Sequence, residues 1–251
     1  MATELVCDES GAEGEKLIGG TTRMFTHASV RLSPAEGTYW LGELRRRAPT
    51  MADEYKANHI LRDRHRRALI WLFGPDGPMS GKAHVYLADK YRLATEHLAE
   101  LSGRDLSPYR DRPDWPAFLG LFNEVARGKL DRSELFGHPY ARELLAEDTE
   151  FTGLLLDPLI GAIAHAVNRE GDEVHLVHDV QRSLTPQCLD DIRGLVHSGQ
   201  LTGVSFADSA TDARIQVVDV IAGTVRRIAE NAVLGRPDPE LLDLVRPYIE
   251  G

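Results

Sequence analysis

The sequence predicts an α/β protein with a mixed central sheet and helices on both faces of that sheet. Two patterns favour this class. Short apolar runs of strand type follow one another near the N-terminus, and strand-like runs alternate with helix-like segments further along the chain. Consecutive strands joined by short turns pair antiparallel, whereas β-α alternation places parallel strands under helices. We therefore expect three antiparallel strands followed by β-α units.

The predicted N-terminal strands cover residues 5–7, 16–22 and 25–32. A helix-start signal follows, because Ser33 as N-cap, Pro34 in the first turn and Glu36 at the third helical position form a capping box. This helix should end near residue 48, and a second should run from about residue 57 to 73, before Gly74-Pro75. A strand at residues 83–88 and a crossover helix at residues 91–101 come next.

The sequence changes character at residues 103–150, which are polar, contain proline and show irregular helical periodicity. We interpret this stretch as a mostly helical insertion in a single domain that spans residues 1–251. β-α alternation resumes after it, with predicted strands at residues 173–178 and 202–207 and predicted helices at 151–168, 185–196, 212–234 and 240–248. The aromatic and apolar residues of one amphipathic stretch in the insertion are Trp115, Phe118, Leu121 and Phe122.

Composition indicates a globular protein and predicts no membrane span. The chain has 251 residues, of which 42% are hydrophobic and 27% charged, and no apolar run approaches the roughly 20 residues that a membrane helix needs. The N-terminus lacks the basic start and apolar core of a secretory signal, and Cys7 and Cys188 do not suggest a disulfide scaffold. We expect a cytoplasmic location.

The charge of the chain is uneven. The net charge is −10, yet the segment from Arg45 to Arg67 holds eight basic and three acidic residues and is therefore +5, which leaves −15 for the remainder. The overall charge argues against a general attraction to nucleic acid. The basic segment nevertheless offers a surface that can hold phosphates, or it is simply a solvated helix face.

Four acidic residues stand where convergence is expected. Sites in open α/β sheets gather outside the carboxyl ends of strands, and Asp8 and Asp179 each follow a predicted strand, while Glu54 precedes a helix. Asp219 lies in a helix that is apolar nearly all round, where an unpaired carboxylate is costly. Oxygen donors of this kind suit Mg²⁺ or Mn²⁺, and the histidines show no zinc-type spacing.

Each acid also has a structural explanation. Asp8 and Asp179 are common turn residues, and Glu54 is able to pair with Lys56 or a neighbouring arginine on the surface. Asp219 is able to form a buried ion pair with Arg226 or Arg227. Gly223 shares a helical face with Asp219 and would allow another backbone to approach closely, which is also compatible with plain packing.

Several motifs in this order resemble a prokaryotic family catalogued as domain of unknown function 3800. The motifs are Asp8-Glu9-Ser10-Gly11, Ile18-Gly19-Gly20, Glu54-Tyr55-Lys56, His178-Asp179 followed by Leu184-Thr185, Phe206-Ala207-Asp208-Ser209, and Gln216 to Gly223. The resemblance covers residues 5–56 and 173–232, and it departs from the family pattern at Val218, where alanine is usual.

The resemblance implies a ribonuclease-H-like fold and a metal-dependent nuclease activity. It carries over Asp8, Glu54, Asp179 and Asp219 as acidic site residues. The supporting polar residues that it implies are Ser10, Lys56, Ser209 and Gln216.

Three functional hypotheses follow. The first is a Mg²⁺- or Mn²⁺-dependent phosphodiesterase that cleaves DNA or RNA, in which Asp8, Asp179 and Asp219 bind metal. Glu54 would then be a fourth ligand or position the water, and Lys56 and the run from Arg62 to Arg67 would contact phosphates. The second is a ribonuclease-H-like module that binds nucleic acid or a protein partner without catalysis. The third is a site for a small phosphorylated molecule.

Overall fold

The computed structural model describes residues 2–151 and 153–250. In these residues six strands form one sheet: β1 (Thr3–Ser10), β2 (Met24–Val30), β3 (Ala83–Asp89), β4 (Val174–Asp179), β5 (Leu201–Ala207) and the two-residue β6 (Ile249–Glu250). The α-helices are α1 (Pro34–Arg47), α2 (Ala57–Ile60), α3 (Arg66–Phe73), α4 (Lys90–Ser102), α5 (Trp115–Ala126), α6 (Arg132–Phe136), α7 (Pro139–Leu144), α8 (Pro158–Glu170), α9 (Pro186–Leu195), α10 (Ala213–Val233) and α11 (Pro239–Val245).

The sheet is mixed, as the sequence predicted. Its strand order is β5-β4-β1-β2-β3-β6, with β1 near the centre. Strand β1 runs antiparallel to β2 and parallel to β4, and β4 runs parallel to β5. The carboxyl ends of β1, β4 and β5 therefore lie at the same edge of the sheet.

The predicted strand at residues 16–22 is wrong, since this stretch is irregular. The side chain of Asn123 accepts hydrogen bonds from the backbone N–H groups of Leu17 (3.0 Å) and Ile18 (3.2 Å). A carboxylate oxygen of Glu13 accepts the N–H of Thr21 at 2.6 Å. Because side chains satisfy these backbone donors, the segment needs no neighbouring strand. The neighbour of β2 on that side of the sheet is β3.

Two predicted helices also differ. The helix expected at residues 57–73 is interrupted at residues 61–65, where a ring nitrogen of His65 lies 2.7 Å from the His59 carbonyl oxygen and takes the place of a helical amide. The helix expected from residue 151 begins only at Pro158, because a residue before proline is disfavoured in the helical region. Residue 152 of that prediction lies outside the described residues. The capping box of Ser33 and Glu36 is confirmed.

The chain divides into two compact units. The first contains the chain up to Ala12, Met24–Leu87 and the chain from Leu159 onward, and the second contains Glu13–Arg23 and Ala88–Pro158. The second unit includes the stretch predicted as an insertion. Its core is aromatic, with Trp115, Phe118 and Phe122 fully buried, so the amphipathic pattern predicted there is confirmed.

The first unit holds most of the sheet and its two helical layers. Helix α10 packs on β1 and β2 and against α1 and α2. Its residues Val217, Val218 and Val220 join Val6 of β1 in one core cluster. Helix α8 lies over the opposite face, where its His165 acts electrostatically on His27 of β2. Helices therefore cover both faces.

No helix in the part of the chain that the structure describes has the length and apolar character needed to cross a bilayer.

Candidate active site

Asp8 and Asp179 lie side by side at the carboxyl edge of two parallel strands. Cys7 of β1 is paired with His178 of β4. The residues that follow them, Asp8 and Asp179, are therefore neighbours on the two strands. Neighbours across a ladder share a face, and side chains alternate along a strand. Val6 and Val177 belong to the core under α10. Asp8 and Asp179, two residues further along, therefore point to that same side.

The position of Asp8 differs in detail from the prediction. It was expected in a turn after the first strand, but β1 continues to Ser10. Asp8 is consequently a residue of the sheet surface, with only 5% of its area exposed. The strand continues because Ser10 is still paired with Thr26 of β2.

Helix α10 brings Asp219 to these two carboxylates. The side chain of Asp219 is 18% exposed, which makes it less buried than its apolar neighbours in sequence suggest. Gly223, one turn later, permits the close approach of the helix. A β-carbon built there would lie 2.7 Å from the β-carbon of Ala57 and 3.8 Å from Ser10 Oγ. The approach at Gly223 is close, and the nearest atoms belong to side chains and not to the backbone that the sequence predicted.

Burial and neighbouring carboxylates raise the pKa of Asp8 and that of Asp219. Burial, followed by the charges of Glu9, Asp219 and Asp179, raises the pKa of Asp8 from 3.8 to about 9. The N–H of Glu9, which donates to Asp8 Oδ1 at 2.7 Å, opposes this shift. Burial, with Asp179 and Glu54, also raises the pKa of Asp219, and Lys56 opposes the rise. At neutral pH the metal-free site therefore holds Asp8 in its protonated form.

Lys56 is the cation that the chain places against this cluster. Its Nζ lies 3.2 Å from Asp219 Oδ2 and 3.1 Å from Glu54 Oε2. The geometry at Asp219 is that of an ion pair, because the buried Oδ2 accepts no hydrogen bond. Burial works against the charged amine, but Asp219 and Glu54 raise the pKa of Lys56. Asp219 is thus paired with Lys56 and not with Arg226 or Arg227.

Gln216 and Ser209 position the loop that carries Lys56. The side-chain oxygen of Gln216 accepts the N–H of Tyr55 at 3.1 Å, and its amide donates to the Ser209 carbonyl oxygen at 2.6 Å. Gln216 therefore joins the loop before α10 to the segment that contains Glu54 and Lys56. This geometry gives both residues a positioning role, whereas the sequence suggested a supporting polar group.

Ser10 connects the acidic cluster to Arg226, which the sequence suggested only as an ion-pair partner of Asp219. Arg226 Nε donates to Ser10 Oγ at 2.9 Å, and Arg226 Nη1 lies 3.9 Å from Glu230 Oε2. Arg226 is seven residues after Asp219, which places both on one face of α10. That spacing is the sequence signal that would have identified it.

The basic segment is largely engaged in structural contacts. Arg45 donates to the Ala52 carbonyl oxygen at 2.9 Å, and Arg46 and Arg47 pair with Glu43. Arg66 forms a two-pronged pair with Asp238, at 2.6 and 2.9 Å, and also contacts Glu240. Arg62 has no acidic partner in the described residues and lines an open cavity. The run predicted to contact phosphates is therefore not one uniform surface.

The opposite face of the sheet carries a buried histidine pair. The rings of His27 and His178 are stacked with centroids 5.4 Å apart. Neither ring nitrogen of His27 has a hydrogen-bond partner among the described residues. Burial, reinforced by His178 and His165, holds the pKa of His27 well below 6.5. The pair is neutral at physiological pH and lies on the other side of the sheet from Asp8.

The fold and this geometry define an α/β protein with a carboxylate cluster at the carboxyl edge of its central sheet. In residues 2–151 and 153–250, no group of three or more His, Cys, Asp or Glu side chains is arranged as a metal site. Comparison of the chain with protein-family models, with curated proteins and with solved structures finds no match.

Proposed function

We propose that the protein is a divalent-metal-dependent phosphodiesterase that cleaves DNA or RNA. The observation that carries the proposal is the convergence of Asp8, Asp179 and Asp219 from β1, β4 and α10 on one side of the sheet. The proposal also includes a ribonuclease-H-like fold. It is supported by an antiparallel β1–β2 pair that is continued by the parallel strands β4 and β5.

The donor set suits Mg²⁺ or Mn²⁺ in its chemistry. It offers carboxylate oxygens, and it contains a buried oxygen of Asp219 that accepts no hydrogen bond. Burial is the largest cause of the raised pKa of Asp8, and repulsion from Glu9, Asp219 and Asp179 adds to it. A hard cation relieves such repulsion and prefers oxygen ligands. Asp8, Asp179 and Asp219 would hold the ion, which supplies activation of water and stabilisation of the charge that develops on phosphate oxygens.

The remaining residues have roles that follow from their contacts. Lys56 holds Asp219 in place and offers a positive charge beside the cluster, where it can contact a substrate phosphate. Glu54 is half exposed next to Lys56 and can orient a water molecule. Gln216 fixes the loop that carries both residues.

A cleavage assay with matched variants tests the proposal. Purified protein is incubated with single- and double-stranded DNA and RNA and Mn²⁺, and Asp8→Asn and Asp219→Asn are compared with Asp190→Asn. Asp190 is an exposed acid on α9, and its carboxylate pairs with Arg193 on the same helix. We expect losses of at least a hundredfold for the first two variants and none for the third. Equal cleavage by wild type and Asp219→Asn would refute the proposal.

One observation favours the alternative of a binding module without catalysis. Lys56 already supplies Asp219 and Glu54 with a positive charge in the absence of metal. If that pair is the final state of the site, calorimetry will show no Mn²⁺ binding that depends on Asp219. Mn²⁺ binding to wild type that Asp219→Asn removes would exclude this alternative.

A further inference from the structure

An open cavity of about 590 Å³ lies next to the acidic cluster in the first unit. Its wall is formed by α10, by the segment around α2 and α3, and by the start of α11. Arg226 belongs both to this wall and to the site, because its Nε donates to Ser10 Oγ. The apolar lining residues are Leu61, Leu69, Ile228 and Leu241.

The charged groups of this wall favour an anion. Four arginines and two aspartates line the cavity, which gives a net charge of +2 in a protein of net charge −10. Arg66 is already neutralised by Asp238 and Glu240, and Arg226 Nη1 lies 3.9 Å from Glu230 Oε2, so the positive charge comes from the other two arginines. Arg62 and Arg227 are exposed, and neither forms an ion pair in the described part of the chain. Guanidinium groups that line one cavity without carboxylate partners suit a phosphate, because their planar donors match phosphate oxygens.

The size and the uncharged lining indicate what accompanies the phosphate. Small-molecule sites usually measure about 300–1,000 Å³ and combine an apolar lining with a few polar groups. The volume of this cavity lies in that range, but its lining is more polar than usual, since eight of its twelve residues are charged or carry side-chain amides and four are aliphatic. A nucleoside with one phosphate fits such a volume, whereas a duplex does not enter it.

The position of the cavity relates it to the carboxylates. Arg226 follows Asp219 by seven residues, which corresponds to about 10 Å along the helix axis. A strand whose last unit occupies the cavity would therefore bring a nearby phosphodiester to Asp8 and Asp219. We propose that the cavity binds the phosphate-bearing terminal nucleotide of a single-stranded nucleic acid. The proposal rests on the phosphodiesterase function, because it assigns the substrate class of that same site.

Binding in EDTA tests the cavity without any contribution from metal. Calorimetry compares the affinity of the protein for AMP with its affinity for adenosine. A second comparison uses a single-stranded oligonucleotide phosphorylated at both ends and the same strand without terminal phosphates. We expect AMP to bind at least tenfold more tightly than adenosine, and the phosphorylated strand to bind more tightly than its control. AMP binding without strand binding would assign the cavity to a free nucleotide and overturn the strand-end proposal.

Arginine variants locate the binding. Arg62→Ala and Arg227→Ala remove exposed side chains without ion pairs in the described residues, and Arg62 loses only a 3.4 Å contact with His59 Nδ1, so folding should be preserved, which thermal melting checks. Each should weaken AMP binding about tenfold and both together about a hundredfold. Arg236→Ala is the matched control, because Arg236 is exposed just after α10 and does not line the cavity. An equal loss in Arg236→Ala would reveal general electrostatic attraction and overturn the proposal.

The two proposals fail separately. Suppose that cleavage depends on Asp8 and metal but that Arg62→Ala and Arg227→Ala bind AMP as wild type does. The cavity proposal would then be refuted, and the phosphodiesterase proposal would stand. Arginine-dependent AMP binding without cleavage would refute the phosphodiesterase and, with it, the assignment of the cavity to a substrate strand.

Discussion

Replacement of Asp8 by asparagine is expected to stabilise the metal-free protein at neutral pH. Asp8 is almost completely buried beside Asp179 and Asp219, and its pKa is raised from 3.8 to about 9. Between these two pH values the native protein retains the proton of Asp8, whereas the unfolded chain releases it. A raised pKa contributes stability that is complete below pH 3.8 and is lost as the pH rises through about 9.

The size of the effect follows from that interval. Each pH unit above 3.8 costs about 1.4 kcal/mol of unfolding free energy. At about pH 7 the cost is on the order of 4 kcal/mol. Asparagine has no proton to lose, and its side-chain oxygen can still accept the N–H of Glu9. Asp8→Asn should recover most of this free energy at neutral pH and very little near pH 4.

Urea unfolding in EDTA at several pH values between about 5 and 9 measures the effect. The difference between Asp8→Asn and wild type should grow with pH. Asp190→Asn makes the same substitution at an exposed acid and is the matched control. With Mn²⁺ at about a hundred times its dissociation constant, the free energy of unfolding of wild type should increase by about 2.7 kcal/mol, and that of Asp8→Asn by much less. If Asp8→Asn is no more stable than wild type at about pH 8 in EDTA, the inferred burial of a protonated Asp8 is refuted.

Three further variants test the surroundings of the site. His27→Phe should gain stability relative to wild type as the pH falls below about 6.5, by up to about 1.4 kcal/mol per pH unit. The reason is that His27 takes up a proton in the unfolded chain but resists protonation when it is buried. A stability difference in urea unfolding that does not depend on pH would contradict this. Lys56→Met should raise the affinity for Mn²⁺ about two- to fivefold in calorimetry, because it removes a half-exposed cation 3.2 Å from Asp219. Weaker Mn²⁺ binding by this variant would show that Lys56 does not compete with metal. Gly223→Ala should lower the free energy of unfolding by about 1–3 kcal/mol, since the new β-carbon would lie 2.7 Å from that of Ala57. Ala57→Gly in the same chain should restore much of this free energy in urea unfolding. If the losses of the two variants simply add, the strain lies elsewhere.

The sequence predicted the arrangement of the carboxylates better than the outline of the sheet. Asp8 and Asp179 meet because β-α alternation makes their strands parallel and brings their carboxyl ends to one edge. Asp219 was recognisable because a carboxylate in an apolar helix requires a partner. Both inferences depend on local pattern and on a general rule of sheet topology, which a single sequence contains.

The errors arose where side chains distant in sequence determine the backbone. Residues 16–22 have the composition of a strand, but Asn123, more than 100 residues away, satisfies their N–H groups. Arg66 was expected to contact phosphate, but its partner Asp238 is 172 residues away. No local pattern reveals such pairs. The cavity at Arg227 escaped prediction for the same reason, since it forms only where α10 meets α3 and α11.

The burial that raises the pKa of Asp8 also affects how the site binds a divalent ion. A metal ligand must be deprotonated, so a proton and a divalent ion compete for Asp8. The raised pKa weakens metal binding at neutral pH, and affinity should increase with pH until about 9, where Asp8 ionises by itself. Lys56 adds a second competitor at Asp219. A substrate phosphate that attracts Lys56 away from Asp219 would relieve this competition. In the proposed phosphodiesterase, substrate and metal would therefore assist each other's binding through Lys56 and Asp219.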